Sequence, residues 1–228
     1  MKRWKPSTQE LGSEQDRMAT PRESLRKLRN ALRRWYWERK ARGWPTTPDG
    51  KRLLHIGCGE VDAPHYINLD ARPLPHVHIV QKDLTDLRTI PDAALDLVYM
   101  CHVLEHVGRM DLLVTVQEAA RVLKPGGVLR ISVPDFDHIV ALYEKAGRDL
   151  KVIAPALMGG QDYAYNFHYS AFNEEFLQDL LKRGGFPTVR SWDPASAPHH
   201  GFQDWSSGSI PYAHGQHPIS LNLEGVKA

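Results

Sequence analysis

Leu97-Val98-Tyr99-Met100 is a run of apolar residues with no polar interruption. A strand with one face in water alternates apolar and polar residues. An unbroken run instead marks a strand covered on both faces, as in parallel sheets. Similar short stretches recur at 52–56, 66–69, 77–80, 95–100, 128–133 and 188–192, and 219–226 alternates as a final strand. Helical patterns lie between several of them. Asp111 stands where an N-cap belongs, ahead of a stripe of Leu112, Val116, Ala119, Ala120 and Leu123. A second helix is expected over 136–146, and Asn173 precedes a third over 174–182 that stops at Gly184-Gly185. Strands alternating with helices predict an α/β chain: a Rossmann-like, doubly wound, mostly parallel sheet. The last two strands have no helix between them, which leaves room for an antiparallel pair at the sheet edge. Residues 158–172 read as a loop with an aromatic stretch, and 193–218 as a long loop rich in Pro, His, Ser and Gly.

The chain has 228 residues, of which 42% are hydrophobic and 25% charged, a composition that can bury a core. Its formal net charge of +2 argues against a general polyanion binder. Two cysteines, Cys58 and Cys101, give no disulfide framework and favour a reducing, cytoplasmic setting. No apolar run is long enough to span a membrane, and the basic N-terminus lacks the apolar segment of a signal peptide.

The positive charge is concentrated near the start. Residues 1–21 read as a flexible tail. In 22–42, Leu25, Leu28, Leu32, Trp35 and Tyr36 recur at helical spacing among Arg26, Arg29, Arg33, Arg34 and Arg39, which predicts a basic amphipathic helix. Gly43, Pro45, Pro48 and Gly50 separate it from a main domain over 51–228. Such a helix can dock on the domain and cover its cleft, lie on an anionic membrane as a peripheral contact, or grip nucleic acid. Nucleic acid is the least favoured, because no RNA-binding module accompanies it.

Leu53-Leu54-His55-Ile56-Gly57-Cys58-Gly59 is a strand feeding a glycine turn, where backbone can approach a ligand closely. The nicotinamide fingerprint needs a third glycine where Asp62 stands, and an acidic residue later than Asp70, so a dehydrogenase is disfavoured. The glycine turn is followed in order by Asn68-Leu69-Asp70, Lys82-Asp83-Leu84, Asp96-Leu97-Val98-Tyr99, His102-Val103-Leu104-Glu105-His106 and Val122-Leu123-Lys124-Pro125-Gly126-Gly127. This ordered set resembles the type 11 group of class I S-adenosyl-L-methionine (SAM)-dependent methyltransferases, closely over 53–135 and more loosely through Phe186.

The resemblance implies SAM as cofactor. It places Gly57, Cys58 and Gly59 under the methionine portion, Asp70 on the ribose, Asp83 and Leu84 at the adenine, and Cys101 and His102 beside the sulfonium. It also implies a sugar- or polysaccharide-pathway acceptor, hence O-methyl transfer to a small-molecule or glycan hydroxyl. RNA or small-metabolite methylation, or a non-catalytic SAM-fold binding protein, are the alternatives. One departure stands out: the link from Ile56 to Tyr66 is too short for a full crossover helix, so a single turn or unusual loop is expected there. An alcohol acceptor needs a base, and His168, His102 and His106 are the candidates, with His168 preferred because it lies in the aromatic loop. His199, His200, His214 and His217 match no compact ligand spacing, so no metal is assigned.

Overall fold

The computed structural model describes residues 20–228; the flexible tail expected over 1–21 lies almost entirely outside the described residues. Strands β1 (Leu53–Ile56), β2 (Tyr66–Asp70), β3 (Ile79–Val80), β4 (Leu95–Cys101) and β5 (Leu123–Pro134) run parallel to one another. β6 (Thr188–Ser191) closes the far edge, and β9 (Ser220–Val226) inserts antiparallel between β5 and β6. The sheet order is β3-β2-β1-β4-β5-β9-β6. This is the expected mostly parallel Rossmann-like sheet with antiparallel strands at one side. Order reverses between β1 and β4, and open α/β sheets bind ligands at the carboxyl ends of their strands beside such a switch point.

Alternation along β1 sorts its side chains between two cores. Leu54 and Ile56 join Ile67, Leu69, Val98 and Met100 under α2 (Leu112–Val122) and α5 (Glu174–Arg183). Leu53 packs with Tyr66, Leu97, Tyr99 and Trp192 on the opposite face. That face is covered by the chain after β6 rather than by a crossover helix. His200 and Phe202 pack with ring centroids 4.4 Å apart and planes tilted, and Phe202 lies 5.9 Å from both His55 and Tyr99. The expected short β1–β2 link is a helix-free loop closed by Val61 N–H to Cys58 O and Tyr66 N–H to Ala63 O. The long C-terminal loop fills the space the missing helix leaves.

Across the edge strands, Arg130 of β5, Glu224 of β9 and Arg190 of β6 share one register. Arg130 Nε donates to Glu224 Oε2 at 2.9 Å and Arg190 Nε to Oε1 at 2.9 Å. Arg130 also donates to the Pro198 carbonyl and lies over the Trp192 ring, which ties the covering loop to the sheet.

Several elements depart from the sequence reading. Residues 148–158 contain α4 (Leu150–Met158), which follows α3 (Phe136–Lys145) and has no counterpart among the expected helices. The long loop holds a hairpin of β7 (Ser209–Tyr212) and β8 (Gly215–Pro218). Asp111 takes helical backbone angles and makes no side-chain cap, whereas Asn173 and Asp135 do cap their helices.

The basic helix is α1 (Pro21–Lys40), and it docks. It does so through Asn30, Arg34, Trp37 and Glu38, not through its leucine stripe. Asn30 Oδ1 accepts from Asp92 N–H, Arg34 donates to the Asp92 carbonyl, and Glu38 forms a two-bond pair with Arg52. Trp37 is buried edge-on against Trp44. Arg52 and Asp92 precede β1 and β4, so the helix sits at the amino ends of the strands. The reading in which it covers the cleft is therefore corrected. Leu25, Leu28, Leu32, Trp35 and Tyr36 remain exposed.

Candidate active site

Two adjoining cavities open at the carboxyl ends of β1, β2 and β4. The first, about 400 Å³, is lined by Gly57, Gly59, Asp70, Arg72, Asp83 and Leu84 among others. Gly57 and Gly59 have φ of +64° and +55°, and a Cβ on Gly57 would lie 2.4 Å from Val103 Cγ2. Only glycine permits that turn beside β4. Asp70 ends β2 and braces the turn: its Oδ2 accepts from Gly59 N–H at 2.8 Å, and its Oδ1 accepts from Arg72 N–H and Nε. A carboxylate offers about four lone-pair positions, so Oδ2 keeps one for a ligand hydroxyl. Asp83 folds its own loop, accepting from Thr85 N–H and Oγ1.

The aromatic stretch closes this cavity. Tyr163, Ala164, Tyr165 and Tyr169 all line it. Arg72 lies 5.2 Å from the Tyr163 ring and Lys82 lies 5.8 Å from the Tyr165 ring, two cation–π contacts that hold the loop against the sheet.

The second cavity, about 690 Å³, lies beyond. Cys58, Cys101, Glu105, Asn166, His168, Asp204 and Trp205 line it, while Gly57, Gly59, Arg72, His102, His106 and Tyr163 face both cavities. The two cysteines thus border the second cavity. Both are free, and burial pushes the Cys58 thiol up to about 12, so it is a packing group rather than a nucleophile.

His102, His106 and His168, separate in the sequence, converge on Glu105. His102 stands just past β4 with φ +51°, a strained value for a residue with a Cβ. Its Nε2 is 2.9 Å from Ser220 Oγ and its Nδ1 is 3.4 Å from Glu105 Oε1. Ser220 donates its hydroxyl to the Trp205 carbonyl at 2.6 Å, so it accepts from His102 Nε2–H, and Nδ1 carries the lone pair. His106 Nδ1 donates to the Phe167 carbonyl and His168 Nδ1 to the Ala156 carbonyl. Those bonds leave both Nε2 lone pairs free, 4.0 and 3.9 Å from Glu105 Oε1. Burial lowers His102 and His168 to about 4 and lowers His106 as well, so the imidazoles are neutral at physiological pH. Burial raises the Glu105 carboxyl to about 8.

Sequence reading missed Glu105. Tyr169 and Ser170 N–H both donate to its carbonyl, which brings the aromatic loop and His168 onto the 3-10 turn Leu104–His106. Glu105, His106 and His168 offer three donor atoms within 4.8 Å of one another. The four later histidines do not assemble. The His200 side chain is buried against Phe202 and Trp192, while His199 and His214 are exposed.

Fold and cleft together place a ligand site at the switch point of an open α/β sheet, and comparison narrows what the site resembles. Residues 54–131 match the type 11 family described as a methyltransferase domain. Over these residues the chain is similar to class I SAM-dependent methyltransferase domains, which use SAM as cofactor. It is similar to a probable S-adenosylmethionine-dependent methyltransferase of Mycobacterium tuberculosis, 31% identical over 154 residues, covering 60% of this chain and 49% of the relative. A Mycolicibacterium smegmatis counterpart is 29% identical, with 60% of this chain and 52% of the relative covered. The chain thus spans about half the length of the curated relatives it matches. A SAM-dependent methyltransferase from Archaeoglobus fulgidus shares the fold at TM-score 0.50 and 16% identity, over 89% of this chain and 94% of that one. One from Thermotoga maritima, a possible histamine N-methyltransferase, does so at TM-score 0.50 and 18% identity, over 90% and 98%.

Proposed function

We propose that this protein methylates a hydroxyl group of a sugar or glycan intermediate, using SAM bound in the smaller cavity. The observation that supports it is the contiguity of the two cavities across His102 and His106. When bound, the sulfonium of SAM supplies a methyl group already activated for transfer. In this reading Asp70 Oδ2 takes a ribose hydroxyl, Asp83 and Leu84 border the adenine, and Gly57 and Gly59 let the backbone approach the methionine portion. Arg72 takes the methionine carboxylate, in place of the crossover helix that the short β1–β2 link lacks.

The larger cavity receives the acceptor. Trp205, Tyr163, Asn166 and Asp204 give it the mixture of aromatic faces and polar groups that carbohydrate rings require. His168 Nε2, held as a free lone pair by the Ala156 carbonyl, accepts the hydroxyl proton. The Tyr163–Tyr165 segment excludes water. Proximity then supplies most of the acceleration.

The test is methyl transfer from labelled SAM to nucleotide sugars, lipid-linked sugars, RNA and small amines. Transfer to a sugar hydroxyl, lowered in His168→Ala with SAM affinity retained, is the expected result. Transfer only to an amine or to RNA overturns the acceptor assignment. Asp70→Ala is expected to weaken SAM binding by about 1.5–3 kcal/mol, the scale of a hydrogen bond to a charged group.

A second reading concerns α1. Its exposed Leu25, Leu28, Leu32, Trp35 and Tyr36, set among Lys27, Arg29, Arg33 and Arg39, suit contact with an anionic membrane surface.

A further inference from the structure

Glu105 is 1% exposed, and neither carboxylate oxygen has a hydrogen-bond partner among the described residues. A buried carboxyl is normally paired or fully hydrogen-bonded, because desolvation without compensation is costly. Around it the polar groups are oriented as if for a common centre. His106 and His168 have their Nδ1 protons committed to the Phe167 and Ala156 carbonyls at 3.0 and 3.1 Å. That is the arrangement that fixes the tautomer of a metal-ligating histidine and aims its Nε2 lone pair. Both Nε2 atoms face Glu105 Oε1 at 4.0 and 3.9 Å, too far for a hydrogen bond.

We propose that Glu105, His106 and His168 bind a divalent transition-metal ion at the floor of the acceptor cavity. The three donor atoms lie within 4.8 Å of one another. An ion with bonds of about 2.0–2.2 Å bridges such a set once the side chains close by a few tenths of an ångström to an ångström. Two imidazoles and one carboxylate favour zinc, iron, cobalt or nickel over magnesium or calcium, which prefer all-oxygen sets. Three protein ligands leave a position open, and all three residues line the larger cavity, where an acceptor oxygen can fill it. The ligands come from the 3-10 turn after β4 and from the aromatic loop, and the two bonds from Tyr169 and Ser170 N–H to the Glu105 carbonyl hold those segments together. With the ion present, His168 serves as a ligand instead of acting directly on the acceptor proton. The site goes beyond methyl transfer and stands whether or not that reading holds, because its test uses neither cofactor nor acceptor.

The experiment is titration of chelator-stripped full-length protein with Zn²⁺ by calorimetry, and with Co²⁺ followed by visible absorption. One ion per chain is expected, with Co²⁺ bands of a low-coordinate nitrogen–oxygen site. Glu105→Gln keeps the shape and removes the charge, so it tests binding without opening a cavity. It and His168→Ala are each expected to weaken binding by at least about 100-fold. His214→Ala, an exposed histidine on the β7–β8 turn, leaves it unchanged. Wild-type binding no tighter than that of a folded Glu105→Gln, His168→Ala double variant overturns the site, as does cobalt absorption unaffected by either substitution.

Discussion

His168 Nε2 lies 3.9 Å from Glu105 Oε1 although 62 residues stand between them. The aromatic loop folds back over the 3-10 turn after β4, and that one return creates both a wall of the smaller cavity and the polar floor of the larger one.

Arg72 is the first case. It shares both cavities and is held by Asp70, with no crossover helix beside it to offer an alternative anion site. Arg72→Gln is expected to weaken SAM and S-adenosylhomocysteine by about 1.5–3 kcal/mol, the worth of a charge-assisted hydrogen bond. Methylthioadenosine, which lacks the carboxylate, should bind the variant and the wild type equally. Calorimetry with the three ligands decides it: equal losses for all of them would assign Arg72 to bracing Asp70 alone.

His55 sets a pH dependence. Full burial among Tyr66, Tyr99 and Phe202 lowers it from 6.5 to about 4. The unfolded chain therefore takes up a proton below 6.5 that the folded chain refuses until about 4. Stability from this residue is fully present above 6.5 and is lost as pH falls between those values, on the order of 3 kcal/mol in all. Urea unfolding should show a shallower acid loss in His55→Phe than in the wild type. Parallel pH profiles would mean that the ring is hydrated or paired.

Glu224 is the hinge of the edge strands. Arg130 and Glu224 are 4% and 6% exposed, whereas Arg190 is 64% exposed. Glu224→Leu strands a buried guanidinium and should cost about 3–5 kcal/mol. Arg190→Leu removes only a solvent-screened partner and should cost less than about 1 kcal/mol. Equilibrium denaturation of both variants separates the two contributions, and a small loss in Glu224→Leu would show that Arg130 is satisfied by the Pro198 carbonyl.

Helix α1 offers a surface prediction. Wild-type protein should co-sediment with vesicles rich in phosphatidylglycerol, weakly at high salt and not with neutral vesicles. Trp35→Glu should abolish the binding without loss of fold, since Trp35 is exposed and the buried anchor is Trp37. Sedimentation unchanged in that variant would remove the membrane reading.

The parallel sheet is legible from the unbroken apolar run 97–100 of β4 and from short, mostly apolar stretches at β1, β2 and β5 that alternate with helical patterns. Asp70, Asp83 and the glycine turn are legible through the ordered motif set that resembles the type 11 group. Other features carried no local signal. Helix α4 contains Pro155 in its last turn, which reads as a breaker. The β7–β8 hairpin turns at Ala213 and His214, with φ of +49° and +64°, where such a turn usually announces itself with Asn-Gly. In α1 the amphipathic pattern was readable, yet the docking face is Asn30, Arg34, Trp37 and Glu38, chosen by polar partners far along the chain. Glu105 was part of a recognised motif, but its isolation from hydrogen-bond partners exists only once His168 arrives from the aromatic loop.

The segment between Met158 and Phe172 is a wall common to two rooms. Gly159, Asn166 and His168 face the larger one, Ala164, Tyr165 and Tyr169 the smaller one, and Tyr163 both. Its cation–π contacts to Arg72 and Lys82, each worth about 0.5–1 kcal/mol, add to the backbone bonds from Tyr169 and Ser170 to the Glu105 carbonyl. Moving it for one occupant disturbs the other. In the proposed reaction, cofactor and product would press on opposite sides of the same segment.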